Sequence, residues 1–490
     1  MKCYELPAAC EANLFNKNIR PYVRVAFEGN FFSDKDIIEC VIQSYRSVDG
    51  GTRNLGDLIL DTTETREFLD NYDTGDDVQI WYCYGDNSAC FMRFNLKIDD
   101  NGIQYEQTGY SKKTCRIHLV DHSKALSDEK KQKNWTESQI VVHLVVCDET
   151  QPEKSLVHLL AKRGGFSADD IDCCYLPFNV PYVEITKSAW DELCDLAKCY
   201  GASLECSKDK CISFTESPYD TVNKFSDEKG ITLTDAFITH YRSYNDNDEY
   251  GNSIRLKYTK YSETEKQVLW EFSDSHSWYD EDFNVWYPFT NDSREICQDN
   301  YKALYTAKDL NGKVRTVVYA EDIDDKETFE KNIITDGGKK FEIEVYDTTS
   351  NRNCAVIKLN RKGENIALGS ARIHGKAIIS ETNFCVYRHD EKEIKKHGQQ
   401  VKNFSYKYLS NDEIDGVPFY ELRANDLLEE YKKRHRSFYV TTYLCLCNVR
   451  AGACIGLNIE GKERKVSVDE ISFRYKKEEA FSTELWLSEK

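Results

Sequence analysis

The sequence predicts a β-rich α+β protein of several domains, and three observations carry that reading. The chain has 490 residues, too many for a single hydrophobic core. It holds 31 Tyr and 23 Phe against 8 Pro and 2 Met, a balance that favours sheets over helical bundles. Short alternating runs recur along most of its length, and one stretch near the middle changes to helical periodicity.

Residues 21–121 read as a β-domain. Residues 22–27 alternate and Gly29-Asn30 turns the chain; the run IIECVIQSYRS follows, then a strand at 58–61. DDVQIWYCY, after the turn Asp73-Thr74-Gly75, is a strong strand. Residues 91–98 and 104–107 flank Asp99-Asp100-Asn101-Gly102, whose Asn-Gly is a hairpin signal. A further strand covers 115–121. Strands at this spacing predict a small barrel or sandwich. The polar residues 123–133 read as a linker. IVVHLVV follows, then a short amphipathic helix on Leu156, Leu159 and Leu160 that stops at Gly164-Gly165.

The most organised stretch is NVPYVEITKSAWDELCDLAKCYGASLECSKDKCISF, read as strand, helix and hairpin. Thr186 or Ser188 can cap the helix with a side-chain oxygen. Trp190, Leu193, Cys194 and Ala197 fall at helical spacing, so Trp190, Leu193 and Ala197 are expected in a core. Asp191, Glu192, Asp195 and Lys198 fall mostly on the other face. Gly201 suits the left-handed position that ends a helix. Residues 203–206 and 211–214 then form two strands.

Residues 232–360 are less regular, with strands expected at 254–261, 267–272, 313–319, 340–346 and 353–359. Residues 373–487 read as a second β-domain containing one helix within 417–436, with Leu427, Leu428 and Tyr431 on its face. The division is thus 1–125, 126–230, 231–370 and 371–490.

Net charge is −19. That argues against a protein that holds nucleic acid by neutralising phosphates, which needs clustered Lys and Arg. The 19 cysteines include no C-x-x-C and no pair at zinc-site spacing. They read as reduced, buried thiols of a protein folded in a cytoplasm. The N-terminus has no continuous apolar segment of a signal peptide, and no window approaches the ~20 apolar residues of a membrane span.

Catalytic motifs do not emerge. The acidic clusters Asp99-Asp100, Asp169-Asp170, 245–249 and 280–282 read as exposed turns. His118 and His122 have H-x-x-x-H spacing, but on a strand their rings would stand about 13 Å apart; His143 is a third, more distant histidine. Cys173-Cys174 reads as buried thiol rather than nucleophile. Residues 456–462, GLNIEGK, match the first part of a P-loop, but Glu463 stands where Ser or Thr would bind magnesium. No catalytic, cofactor-binding or metal-binding residue is assigned, and no cofactor is expected. The best binding candidate is the aromatic–acidic run around Trp278, Tyr279, Trp286 and Tyr287, a platform for carbohydrate or an interface for protein.

Three stretches, in order, resemble the baseplate-hub or tail-tip hub family of tailed phages, prophages and contractile injection systems. LGDLILDTTETREFLDNYDTGDDVQIWYCYG resembles its N-terminal barrel. VPYVEITKSAWDELCDLAKCYGASLECSKDKCISF resembles its strand, W-x-x-L-x-x-L-A-x-x-x-G-A helix and hairpin. FYELRANDLLEEYKKRHRSFYVTTYLCLCNVRAGACIGL resembles its C-terminal helix and strands, with Ala453 where the family often has Asp. The resemblance implies two tube-like β-barrel domains flanking a central α+β unit and an irregular β-rich insertion. It implies a homotrimer that adapts a sixfold tail tube to a threefold spike and lines a channel through which DNA passes without specific binding. Its implied partners are the tail tube or distal tail protein, a spike or tail-fibre protein and the tape-measure protein. Its implied place is the virion tail, assembled in the bacterial host cytoplasm. With no catalytic motif in the sequence, no enzymatic activity is expected. The alternative is a tail-associated carbohydrate-binding protein or cell-wall hydrolase.

Overall fold

The structure is a computed structural model. It describes residues 3–489 except 17, 33, 47–49, 64–70, 86–88, 109–111, 128–138, 207–210, 221, 223–229, 247–249, 274–276, 281–284, 289–299, 324–329, 336–341, 347–352, 361–365 and 434.

Strands from opposite ends of the chain are hydrogen-bonded edge to edge into one sheet. Its main path runs Ile238–Asp246, His435–Thr442, Ser482–Glu489, Lys462–Lys476, Ile37–Arg46, Gly51–Asp61, Lys112–Val120, Cys90–Thr108, Asp77–Tyr84, Pro21–Phe27 and Asn30–Phe31. The seam is the antiparallel pair Ile37–Arg46 and Lys462–Lys476, in register from Glu39 opposite Lys476 to Tyr45 opposite Glu470. The cause is visible in the alternation. Ile37, Cys40 and Ile42 from one end and Ile471 and Phe473 from the other are all buried. They belong to one hydrophobic cluster that also takes in Val23, Ile80, Ile117, Val440 and Leu485. Burying one face of both strand sets fixes their register, because a one-residue slip would turn every one of these side chains outward.

The barrels expected at the two ends are not closed by strand pairing among the described residues. The sheet is open, and its path ends at Asn30–Phe31 and Ile238–Asp246. The strand that would have to close the N-terminal set, Ile37–Arg46, spends its outer edge on Lys462–Lys476 instead. The expected hairpin at Asn101-Gly102 also differs. Residues 90–108 are one continuous strand, Cys90–Thr108. Its pairing with Lys112–Val120 shifts register between Ile98 and Ile103, so the extra residues form a bulge. Gly102 is needed there, since a Cβ would stand 2.3 Å from Cγ2 of Ile98.

A second core belongs to the middle of the chain. Gln139–Cys147 pairs antiparallel with Leu176–Ile185, and the helices Leu156–Arg163 and Ala189–Tyr200 supply Leu160, Trp190, Leu193 and Leu196. The helix Phe419–Tyr431 adds Phe419, Ala424 and Leu427 to this same core. Ile212–Thr215 pairs with Ser203–Glu205, as the central hairpin requires. A third, smaller core gathers Leu269, Val317, Ala320, Ile373 and Ile379 along the long strand Ile366–His389. That strand is shared by Ser253–Glu263, Gln267–Ser273, Val314–Glu321 and Glu330–Thr335. The residues read as a linker begin with a short helix, Ser123–Ser127.

Four cysteines depart from the expectation of reduced thiols: Cys83 is bonded to Cys90 and Cys147 to Cys173. Cys83 and Cys90 face each other in the register of Asp77–Tyr84 and Cys90–Thr108, which brings their sulfurs together. Buried cysteines elsewhere, among them Cys199 and Cys206, are outside any disulfide. No described helix is long and apolar enough to cross a membrane.

Candidate functional site

The helix Ala189–Tyr200 sits in the middle core, between the N-terminal strands and the later part of the chain. Ser188 caps it: its Oγ accepts the backbone N–H of Asp191 at 3.2 Å. Gly201, at φ 59°, ends it in the left-handed conformation. Between these caps the helix is buried on two sides, and each side serves a different neighbour.

Toward the N-terminal strands, Trp190 and Cys194 lie directly over Gly51. A Cβ on that glycine would stand 2.6 Å from Cζ2 of Trp190 and 2.8 Å from Sγ of Cys194. The Arg53 guanidinium lies 5.5 Å from the Trp190 ring centre. Trp190, Leu193 and Ala197 are all fully or nearly fully buried.

Toward the later part of the chain, Tyr200 stacks on Phe419 with ring centres 4.7 Å apart. Its hydroxyl donates to the Tyr408 carbonyl at 2.9 Å. Arg423 donates to the Lys198 carbonyl at 3.0 Å, over the C-terminal end of the helix, where a cation is favoured. Glu192 is completely buried and accepts from the Lys407 ammonium, the Tyr408 hydroxyl and the backbone N–H groups of Thr186 and Lys187. Burial alone would raise its pKa, but these donors overcome that and hold the carboxyl below its usual value.

A second buried junction ties the central hairpin to both ends of the chain. Arg450 donates to Glu205 and, at 2.7 Å, to Glu216. Its guanidinium lies 4.8 Å from the Tyr4 ring centre, and that of Arg93 lies 4.6 Å from the same ring. Tyr4 donates to Glu205 at 3.3 Å, and burial first of all pushes its phenol up to about 12. Arg450 therefore neutralises two carboxylates in a space where neither could be left unpaired.

Between the helix and the segment 403–407 lies a cleft of about 1110 Å³, lined among others by Lys187, Lys198, Lys257, Lys407 and Arg423. Two of these cations are paired with carboxylates: Lys187 with Asp195 at 2.6 Å and Lys407 with Glu192 at 2.7 Å.

The other residues singled out in the sequence are dispersed. Ser277–Asp280 and Val285–Pro288 pair antiparallel, with Trp278 opposite Tyr287 and Tyr279 opposite Trp286; the side chains of these four lie outside the described part of the structure. His118 binds Asp57 at 2.5 Å, His122 meets the Phe166 ring, and His143 bridges Glu263 and Glu321. The three histidines thus share no partner. Asp99 and Asp100 pair with Lys124, and Asp170 binds back to Ser167. Of the P-loop-like run, Cys454–Ile459 is a strand and Gly461 a turn at φ 71°. Sequence reasoning missed the burial of Glu192, which falls on the polar side of the helix pattern. Its one legible signal is position, four residues after a capping serine. Reasoning also missed that Cys147, His158 and Cys173 come together. Their separation along the chain matches no metal motif.

No family model matches the chain, and no curated protein does. Several solved structures are similar to it. A tail protein from Neisseria meningitidis MC58 is 10% identical, with 96% of each chain covered and a TM-score of 0.48. The 43 kDa tail protein of prophage MuSo2 from Shewanella oneidensis is 9% identical, covering 95% of this chain and 98% of its own, with a TM-score of 0.46. Prophage tail protein gp18 from Listeria monocytogenes EGD-e is 10% identical, covering 95% and 94%, with a TM-score of 0.40.

Proposed function

We propose that this chain is a structural hub at the distal end of a phage tail or phage-like injection machine, a homotrimer that joins a sixfold tube to a threefold spike. The observation that carries the reading is the seam between Ile37–Arg46 and Lys462–Lys476. It sets two β regions from opposite ends of the chain side by side as one surface. Three such subunits offer six β regions, which is how a threefold ring can meet a sixfold tube. In the ring the two regions act as tube-like units whose curvature is completed by neighbours.

The open sheet supplies the means. Its two ends are exposed strands, and each carries exposed aromatic surface: Phe31 at one, Tyr241 and Tyr244 at the other. Unpaired edges invite another chain, and a head-to-tail contact repeated around an axis closes a ring. A net charge of −19 suits a channel that passes DNA without holding it. The partners on this reading are the tail tube or distal tail protein, the spike or tail fibre and the tape measure, and the place is the virion tail. The role is one of architecture rather than catalysis.

The test is mass measurement and negative-stain imaging of the purified protein, alone and mixed with its tube and spike proteins. A threefold ring is expected. A monomer at micromolar concentration in all these mixtures overturns the proposal. A second reading, carbohydrate binding, is favoured by the register that places Trp278 opposite Tyr287 and Tyr279 opposite Trp286 in one hairpin. It requires glycan binding that is lost in Trp278→Ala or Trp286→Ala.

A further inference from the structure

Cys147, His158 and Cys173 meet in the middle core from three different elements. Cys147 ends the strand Gln139–Cys147, Cys173 ends the short strand Ile171–Cys173, and His158 lies in the first turn of the helix Leu156–Arg163. All three are buried, and their sulfur and imidazole nitrogen atoms lie within 4.8 Å of one another. We propose that, with both thiols reduced, these three residues form a binding site for a thiophilic divalent cation of the zinc class.

Three features of the surroundings support that assignment. The ring of His158 is oriented by Ser155, whose Oγ lies 2.7 Å from Nδ1. That leaves Nε2 as the ligand atom, and a hydrogen bond at the far nitrogen is the usual support of a metal-bound imidazole. Ser155 is also the helix N-cap, accepting the His158 N–H at 3.4 Å, so the ring's root is fixed as well as its plane. The third feature is Glu149. Its Oε1 accepts the backbone N–H of Cys173 at 3.2 Å, which fixes the backbone at one of the two sulfur ligands and leaves the fourth position of a tetrahedral site to water. The neighbouring Asp148 is occupied differently, with its Oδ1 taken by the N–H and hydroxyl of Thr150.

In the structure the two sulfurs are joined as a disulfide, so the metal form and the disulfide are alternative states of one site. Passing from one to the other balances simply. A dithiol reductant gives two electrons and two protons to the S–S bond and itself closes to a disulfide. Metal entry then releases one proton from each cysteine, while each sulfur and the imidazole Nε2 donate a lone pair to the ion. The sulfurs must rotate apart to roughly 3.7 Å, their separation across a tetrahedral zinc with bonds of about 2.3 Å. The disulfide staples two of the three elements, and the metal form would staple all three.

The experiment is a cobalt titration of the full-length protein after reduction with a dithiol and removal of the reductant without oxygen. The expected result is one equivalent of Co²⁺ per chain, with the intense visible absorption of a tetrahedral site and a thiolate-to-cobalt charge-transfer band. Zinc should displace it. Cys173→Ser should abolish the charge-transfer band's full intensity, and His158→Asn should weaken affinity at least tenfold. Because these variants could fail to fold, a second measurement uses the unaltered protein: bound zinc should protect Cys147 and Cys173, and not Cys385, from alkylation, read by mass spectrometry. Absence of the cobalt spectrum in reduced protein, or equal alkylation of Cys147 and Cys173 with and without zinc, overturns the proposal.

Discussion

The Lys407 ammonium closes on both carboxylate oxygens of Glu192, at 2.7 and 3.0 Å, across 215 residues of chain. Glu192 is wholly buried while Lys407 keeps some contact with solvent. Removing the lysine by Lys407→Met leaves an anion in the core, and breaking a buried pair in this way costs about 3 kcal/mol or more. Glu192→Gln keeps the shape and loses the charge, so it should cost less, about 1–2 kcal/mol. Chemical denaturation of the two variants checks the order. Because the folded carboxyl lies below its usual 4.5, its contribution is present above that value and is lost as pH falls through the folded one. The wild type should therefore lose its advantage over Glu192→Gln under acid conditions.

Gly51 should tolerate no side chain. A methyl group there meets Trp190 and Cys194 inside contact distance, so Gly51→Ala must push the helix away from the sheet. The expected loss is about 1–3 kcal/mol, typical of overpacking. Trp190→Ala should cost about 3–5 kcal/mol through the cavity it leaves. Trp190→Asp should prevent folding or assembly. Thermal melts and the soluble yield of each variant report these outcomes, and a wild-type melt for Gly51→Ala would contradict the contact.

His143 makes a pH-dependent link. It donates toward Glu321 at 2.9 Å and Glu263 at 3.2 Å, joining the strand Gln139–Cys147 to Val314–Glu321 and Ser253–Glu263. Burial works against the charged ring, but the two carboxylates prevail and hold its pKa above 6.5. A raised folded pKa contributes stability that is complete below 6.5 and lost as pH rises through the folded value. The melting temperatures of wild type and His143→Gln should differ most in mild acid and converge as pH rises above neutrality.

On the proposed reading, ring assembly depends on exposed edges. Tyr244 on Ile238–Asp246 is about half exposed, at 51%. Tyr244→Lys places a charge where a neighbouring strand would dock, a device that natural edges use to prevent pairing. On the proposed reading it should weaken the trimer while leaving the subunit's melting temperature within about 0.5 kcal/mol equivalent of wild type. Sizing and calorimetry together separate the two effects.

Local features were legible in the sequence, and long-range ones were not. The central unit followed from spacing alone: Ser188 and Gly201 bound the helix as expected, and Trp190, Leu193 and Ala197 lie on its buried face. Each of those signals acts within one or two helical turns. The seam could not be read, because Ile42 opposite Phe473 and Ser44 opposite Ile471 are chosen by burial of a common face and not by any turn between them. Asn101-Gly102 misled for a related reason: the dipeptide permits a tight turn, but tertiary pairing with Lys112–Val120 drew it into a bulge. Glu192 was hidden because a carboxylate at that helical position is ordinarily solvated, and only Lys407 and Tyr408, remote in sequence, make its burial affordable.

The seam also sets a clock on the protein's birth. Glu39 waits for Arg474, which follows it by 435 residues. At bacterial or eukaryotic rates of roughly 5–20 residues per second, that is an interval of about 20 to 90 seconds. For all that time the strand Ile37–Arg46 emerges from the ribosome with its outer edge bare. A nascent chain is thus adhesive before it is finished, and whatever shields that edge during synthesis decides how much of it ever folds.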